Sequence, residues 1–185
     1  MKKLLTFVLV LGMASMALAV PVFQVVDPCD SYYPSDVITI ALVDDGAVVG
    51  FSIDAIVAVI CPEGGPAGGY ASEPQTFAAN FNLKHPGALN VAGHLVEYVF
   101  ANTTIGPSTG VLYTFEYHVP EVPASTLICI ETFADGDMYW EPLIDYSDGS
   151  SYEGPIGMLE CIHVIPEPAT IALLGLGGLL LRRRK

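Results

Sequence analysis

The stretch Gly110-Val111-Leu112-Tyr113-Thr114-Phe115-Glu116-Tyr117-His118-Val119 alternates in character along its length. Val111, Tyr113, Phe115, Tyr117 and Val119 fall on one side of an extended chain, and Leu112, Thr114, Glu116 and His118 fall on the other. Successive side chains of a strand point to opposite faces, so this pattern yields one apolar and one mostly polar face, the signature of a half-buried β-strand. A helix over the same residues would spread the five apolar positions around its circumference.

Similar runs lie on either side of it: Val37 to Val43, Val48 to Ile60 with Asp54 outward, Leu95 to Ala101 with Glu97 outward, Thr126 to Phe133, and Ile156 to Ile165. Clusters of turn formers separate them, among them Asp44-Asp45-Gly46, Pro62-Glu63-Gly64-Gly65-Pro66 and Asp148-Gly149. Glycine supplies positive φ, proline presets the first turn residue, and Asp bonds its own backbone, so these clusters end strands. Only Glu73 to Leu83 offers material for a short helix, a few alanines and apolar positions. Many short strands at this spacing predict an all-β domain, an antiparallel β-sandwich of jelly-roll or immunoglobulin-like type.

The layout of Asp36 to Val43, the strand holding Gly50-Phe51-Ser52-Ile53, Gly110 to Phe115 and Ser125 to Thr132 resembles that of cohesin-type modules, over Val22 to Ile165. The resemblance implies a jelly-roll sandwich used for non-covalent binding. It carries no particular binding residue with it.

The two ends have a different character. Met1-Lys2-Lys3, the apolar run Leu4 to Leu11 and the small-residue site Ala17-Leu18-Ala19 form the three parts of a secretory signal peptide, with cleavage governed by Ala17 and Ala19. At the other end Pro166-Glu167-Pro168 precedes the apolar, Gly-rich run Ala169 to Leu181 and the terminal Arg182-Arg183-Arg184-Lys185. Thirteen residues from Ala169 to Leu181 make a helix of roughly 20 Å, against a hydrocarbon core of about 30 Å. Arg182 to Lys185 extend its reach by snorkelling and favour a cytoplasmic C-terminus. Short motif, greasy segment and basic cluster together resemble the PEP-CTERM sorting signal of bacterial exported proteins. That resemblance implies processing by an exosortase-type enzyme, transient anchoring in the inner membrane through the tail, and delivery to the cell envelope or its exopolysaccharide matrix. The expected organisation is a signal peptide over 1–19, an acidic ectodomain over 20–165 and a sorting segment over 166–185, with helices at the two apolar ends.

Six of the seven basic residues lie in those terminal segments, leaving Lys84 alone against nineteen of the twenty acids in Val20 to Ile165, a formal charge of −18. Nucleic acid is excluded as a partner, because its binding requires Lys and Arg to neutralise phosphates. Such a surface favours solubility and association with cations. The domain still contains enough apolar and aromatic residues to fold, and roughly 145 residues suffice for one two-layer core.

Cys29, Cys61, Cys129 and Cys161 form an even set bound for an oxidising compartment, consistent with two disulfides in any of three pairings. In the strand order that the cohesin resemblance implies, Cys29 lies near Cys161 and Cys61 near Cys129, a nested pairing. No C-x-x-C occurs, so metal or redox chemistry is not expected.

Catalysis finds no support either. There is no G-x-S-x-G. His85, His94, His118 and His163 are scattered and read as surface or loop residues, and no carboxylate pair stands out from the rest. Asp135-Gly136-Asp137, followed by Glu141, Asp145 and Asp148, gathers oxygen ligands without the D-x-D-x-D-G spacing of a calcium loop. A solvated acidic loop is expected there, with Asp135 and Asp137 as candidate calcium ligands and no other cofactor. Tyr139, Trp140, Tyr146 and Tyr152 interleave with the same acids. Trp140 is expected to pack into the sandwich; the competing reading makes it a platform for polysaccharide. The expected function is a structural or adhesive envelope protein without catalytic activity, with a carbohydrate-binding module as the first alternative and an extracellular hydrolase as the second.

Overall fold

A computed structural model describes residues 20–122, 124–134 and 138–166. The expected signal and tail helices, the cleavage residues Ala17 and Ala19, Glu167 and Pro168 of the sorting motif, Arg182 to Lys185, and the calcium candidates Asp135 and Asp137 lie outside the described residues.

The described residues are all-β. In order they form β1 (Val22–Val25), β2 (Val37–Cys61), β3 (Tyr70–Phe77), β4 (Leu83–His85), β5 (Ala88–Leu89), β6 (Val96–Asn102), β7 (Ser108–His118), β8 (Thr126–Thr132), β9 (Leu143–Tyr146), β10 (Ser151–Glu153) and β11 (Ile162–Val164). Every strand pairing is antiparallel. Among these residues no helix is long and apolar enough to cross a membrane.

β2 organises the sandwich. Its 25 residues would reach roughly 80 Å if straight, about twice the diameter of a domain this size, so it must bend. Its first half lies between β1 and β7, with β3 beyond β7. Its second half lies between β6 on one side and β9 and β8 on the other, with β11 beyond β8. At Asp44-Asp45-Gly46, where the strand is expected from sequence to end, the register against β7 shifts between Asp44 and Val48 and the strand continues. Asp44, 2% exposed, accounts for this: its carboxylate accepts the Gly46 N–H at 2.6 Å and the Tyr146 hydroxyl at 2.8 Å. A Cβ at Gly46 would lie 2.5 Å from the Tyr146 ring, so glycine is required for that approach.

The core joins the two sheets. Ile40, Leu42, Tyr113, Phe115 and Tyr117 meet Phe51, Ile53, Val99, Ile128, Ile130 and Ile144. The rings of Phe51 and Tyr113 lie 6.2 Å apart across the layers, and Phe81 is edge-on to Phe51 at 5.5 Å. β7 follows the alternation read from its sequence except at its start. Leu42 faces Tyr113 but Val43 faces Val111, so Leu112 is the extra residue of a bulge. The bulge turns Leu112 into the core and leaves Val111 exposed, the reverse of the expected order.

Two further expectations change. Part of the helix candidate Glu73 to Leu83 belongs to strand β3, which pairs with β7, and Pro74 sits in the register irregularity between Ser72 and Thr76. That placement suits a residue with no N–H to give a ladder. The run Ile156 to Ile165 is a strand only from Ile162 to Val164, although Gly157 and Met158 form single bridges to Glu131 and Phe23.

Candidate ligand-binding face and cysteine cluster

The alternation of β2 places Phe51, Ile53 and Ala55 in the core and sends Ser52 and Asp54 outward. Across the ladder, Ser52 is opposite Phe100 of β6 and Leu143 of β9, and Phe100 is opposite His85 of β4. One transverse row therefore runs Leu143, Ser52, Phe100, His85, spanning about 14 Å at the usual strand spacing. The His85 and Phe100 rings stack at 5.3 Å. In the neighbouring row the Asp54 carboxylate accepts the backbone N–H of Trp140 at 3.0 Å, and the register places Tyr98 opposite Asp54. Tyr98 and Phe100 are each 47% exposed and Trp140 is 71% exposed. Trp140 does not join the core, contrary to expectation, because Asp54 ties its backbone to the outer surface of the sheet. The result is an exposed face with aromatic rings and a carboxylate.

Beneath it lies a buried polar group. Glu97, expected to face outward, is 7% exposed because Tyr139 covers it and donates its hydroxyl to Oε1 at 2.6 Å. His94, expected at the surface, is 9% exposed; its Nδ1 lies 3.5 Å from the same Glu97 oxygen and forms no hydrogen bond among the described residues. Its ring meets that of Tyr139 edge-on at 4.6 Å. The other histidines remain apart: His118 stacks on Tyr70 at 4.1 Å, and His163 Nε2 pairs with Ser125 Oγ at 2.7 Å. Strict alternation with Glu97 outward places Tyr98 and Phe100 on the inner face of their strand; the structure exposes both, with Tyr98 in the left-handed region at φ 57°. His94 carried no sequence signal, since its partners come from the fold.

Three of the four cysteines converge: Cys61 at the end of β2, Cys129 in β8 and Cys161 just before β11. Ile162 of β11 faces Ile128 of β8, so Cys161 falls opposite Cys129; on the other edge of β8, Val59 faces Cys129 and Cys61 lies diagonal to it. The Cα separations from Cys129 are 6.3 Å to Cys61 and 4.6 Å to Cys161, each within the span of a disulfide. Cys61 and Cys129 thus meet. Cys161 meets Cys129 in place of Cys29, which remains free and exposed. The three sulfurs lie within 4.8 Å of one another, the one grouping among the described residues with the thiolate character of a soft-metal site. Cys29 and Cys161 also line a common open cleft of about 350 Å³ with Tyr32 and Leu159.

Residues 164–185 match the model of the PEP-CTERM protein-sorting motif, which marks an exported protein handled by an exosortase. No curated protein matches this sequence. Among solved structures the chain is similar to a cohesin module from a family 33 glycoside hydrolase of Clostridium perfringens, with 10% identity, 80% of this chain and 99% of that one covered, and a TM-score of 0.42. It is also similar to the second type II cohesin module of the ScaA scaffoldin of Acetivibrio cellulolyticus, with 9% identity, 74% and 89% covered, and a TM-score of 0.42.

Proposed function

We propose that this chain is an exported, non-catalytic structural or adhesive protein of the cell envelope, divided into a signal peptide at 1–19, an anionic sandwich at 20–165 and an exosortase-processed segment at 166–185. The observation that carries this reading is the sorting motif at 164–185, set directly behind a folded domain. The tail holds the protein at the inner membrane until processing, and the sandwich then enters the extracellular matrix. Fractionation of cells expressing the full chain and a chain lacking 166–185 tests this. The full chain is expected in the envelope or matrix and the truncated one elsewhere; the same destination for both would defeat the reading.

A second reading concerns the ligand, and the exposure of Trp140 favours it. The face formed by Trp140, Tyr98 and Phe100 beside Asp54 suits a polysaccharide, since sugar rings offer C–H faces to aromatics and hydroxyls to carboxylates. The formal charge of −18 on Val20 to Ile165 repels uronate-rich polymers and leaves neutral ones. Co-sedimentation of the full chain with the neutral exopolysaccharide of the producing cells is expected, with loss of at least tenfold in affinity for Trp140→Ala. Equal binding by the variant would remove the face from consideration.

A further inference from the structure

A divalent sulfur forms one disulfide, yet Cys129 is placed to bond either Cys61 or Cys161, and both Cα separations, 6.3 and 4.6 Å, suit one. Three cysteines within reach of one another cannot all be paired. Whenever this cluster holds a single disulfide, it holds a thiol next to it.

We propose that Cys61, Cys129 and Cys161 form an internal thiol–disulfide exchange site in which Cys129 is the shared sulfur and Cys29 is the trap that fixes the final pairing. In the exchange the Cys61 thiolate attacks Cys129 Sγ of a Cys129–Cys161 disulfide. The Cys61–Cys129 bond forms as the Cys129–Cys161 bond breaks, and the electron pair leaves on Cys161 Sγ, which takes up a proton. Nothing is oxidised or reduced overall. Cys129, 6% exposed, is shielded from external thiols, whereas Cys61 and Cys161 are half-buried at its sides. Attack from within the cluster is therefore favoured over attack from outside.

The order of events follows from loop length and position. Cys129 and Cys161 are 32 residues apart and Cys61 and Cys129 are 68 apart, so the first loop closes about threefold more readily in an unfolded chain. That early disulfide leaves Cys29 and Cys61 as thiols. Exchange to Cys61–Cys129 frees Cys161, which shares a cleft with Cys29. An exported disulfide donor then takes two electrons and two protons from Cys29 and Cys161, becoming a dithiol itself, and the nested pairing is locked. The inference needs export to an oxidising compartment and is independent of the polysaccharide reading.

The test is peptide mapping of the exported full chain, acid-quenched, alkylated and kept unreduced. The wild type is expected to contain Cys61–Cys129 and Cys29–Cys161. Cys29→Ser, which cannot be trapped, is expected to contain both Cys61–Cys129 and Cys129–Cys161, each leaving one alkylated thiol. Cys61→Ser and Cys161→Ser are expected to hold only the Cys129 disulfide left to them. If these variants do not fold, limiting reductant added to the wild type is expected to produce Cys129–Cys161 before full reduction. The same single Cys129 linkage in both Cys29→Ser and the partially reduced wild type would overturn the proposal, as would zinc that protects all three thiols from alkylation until a chelator removes it.

Discussion

Aromatic side chains fill the interior between the two sheets and also lie on the outer surface of the sheet built on the second half of β2, under opposite rules. In the interior Phe51 packs with Phe77, Phe81 and Tyr113, and Phe115 and Tyr117 are fully buried. Each phenol there has a partner: Tyr113 donates to Gln75 Oε1, and Tyr117 to the Gly68 carbonyl at 2.9 Å. On the outer surface Tyr98, Phe100 and Trp140 present large areas to solvent. Inside, an aromatic ring stabilises the fold by removing apolar area from water and must bring a partner for its hydroxyl. Outside, the same ring contributes little to folding and remains available to a ligand.

The largest effect that would separate the two surfaces is truncation of an inner ring. Phe115 is 0% exposed in the middle of β7, and Phe115→Ala should cost about 3 to 5 kcal/mol from lost transfer energy and the residual cavity. For a domain of this size that lowers Tm by roughly 10 °C. Calorimetry showing a loss below about 1 kcal/mol would mean that the interior is not packed as described.

Next in size is the response to alkali. Burial raises the ionisation of Tyr113 and Tyr117 well above the ordinary tyrosine value, and burial followed by the hydrogen bond to Asp44 does so for Tyr146. The unfolded chain releases these protons near pH 10 and the folded chain only above it. The contribution of the three neutral phenols is therefore complete below pH 10 and falls as pH climbs from 10 through the raised folded values. Denaturant titrations at rising pH should show a constant midpoint up to about pH 10 and a decline beyond it, reduced in Tyr113→Phe. A midpoint independent of alkali would sink this account.

How much of this contrast could be read in the chain depends on where each partner comes from. The alternation from Val111 to Val119 and from Val48 to Ile60 set the strands and their inner faces, because period two is a local property. The features absent from the local pattern are non-local. The continuation of β2 through Asp44 depends on Tyr146, 102 residues away. Glu97 is buried by Tyr139, 42 residues on. The bulge that exchanges Val111 for Leu112 depends on register against Leu42 and Val43. The cysteine cluster was hidden for the same reason, since Cys61, Cys129 and Cys161 meet only when β2, β8 and β11 lie side by side. Trp140 departs from the general rule that a lone tryptophan in an apolar domain is mostly buried, because its place follows from the Asp54 bond at 3.0 Å.

The smallest expected effect is also the one that most sharpens the comparison. Trp140 is 71% exposed, and the bond holding it in place comes from its backbone N–H, which Trp140→Ala retains. Removing the indole deletes little buried area and leaves no polar group unpaired, so stability should change by no more than about 0.5 kcal/mol, or roughly 2 °C in Tm. Asp54→Ala attacks the same tether from the other side: it unpairs that N–H and should cost about 1 kcal/mol while leaving the indole in the chain. If the outer aromatics exist for a ligand, both substitutions weaken polysaccharide binding, and Trp140→Ala does so at nearly unchanged Tm. A Trp140→Ala protein that lost several degrees of Tm would place the indole with the inner aromatics, and the distinction between the two surfaces would fail at its most exposed member.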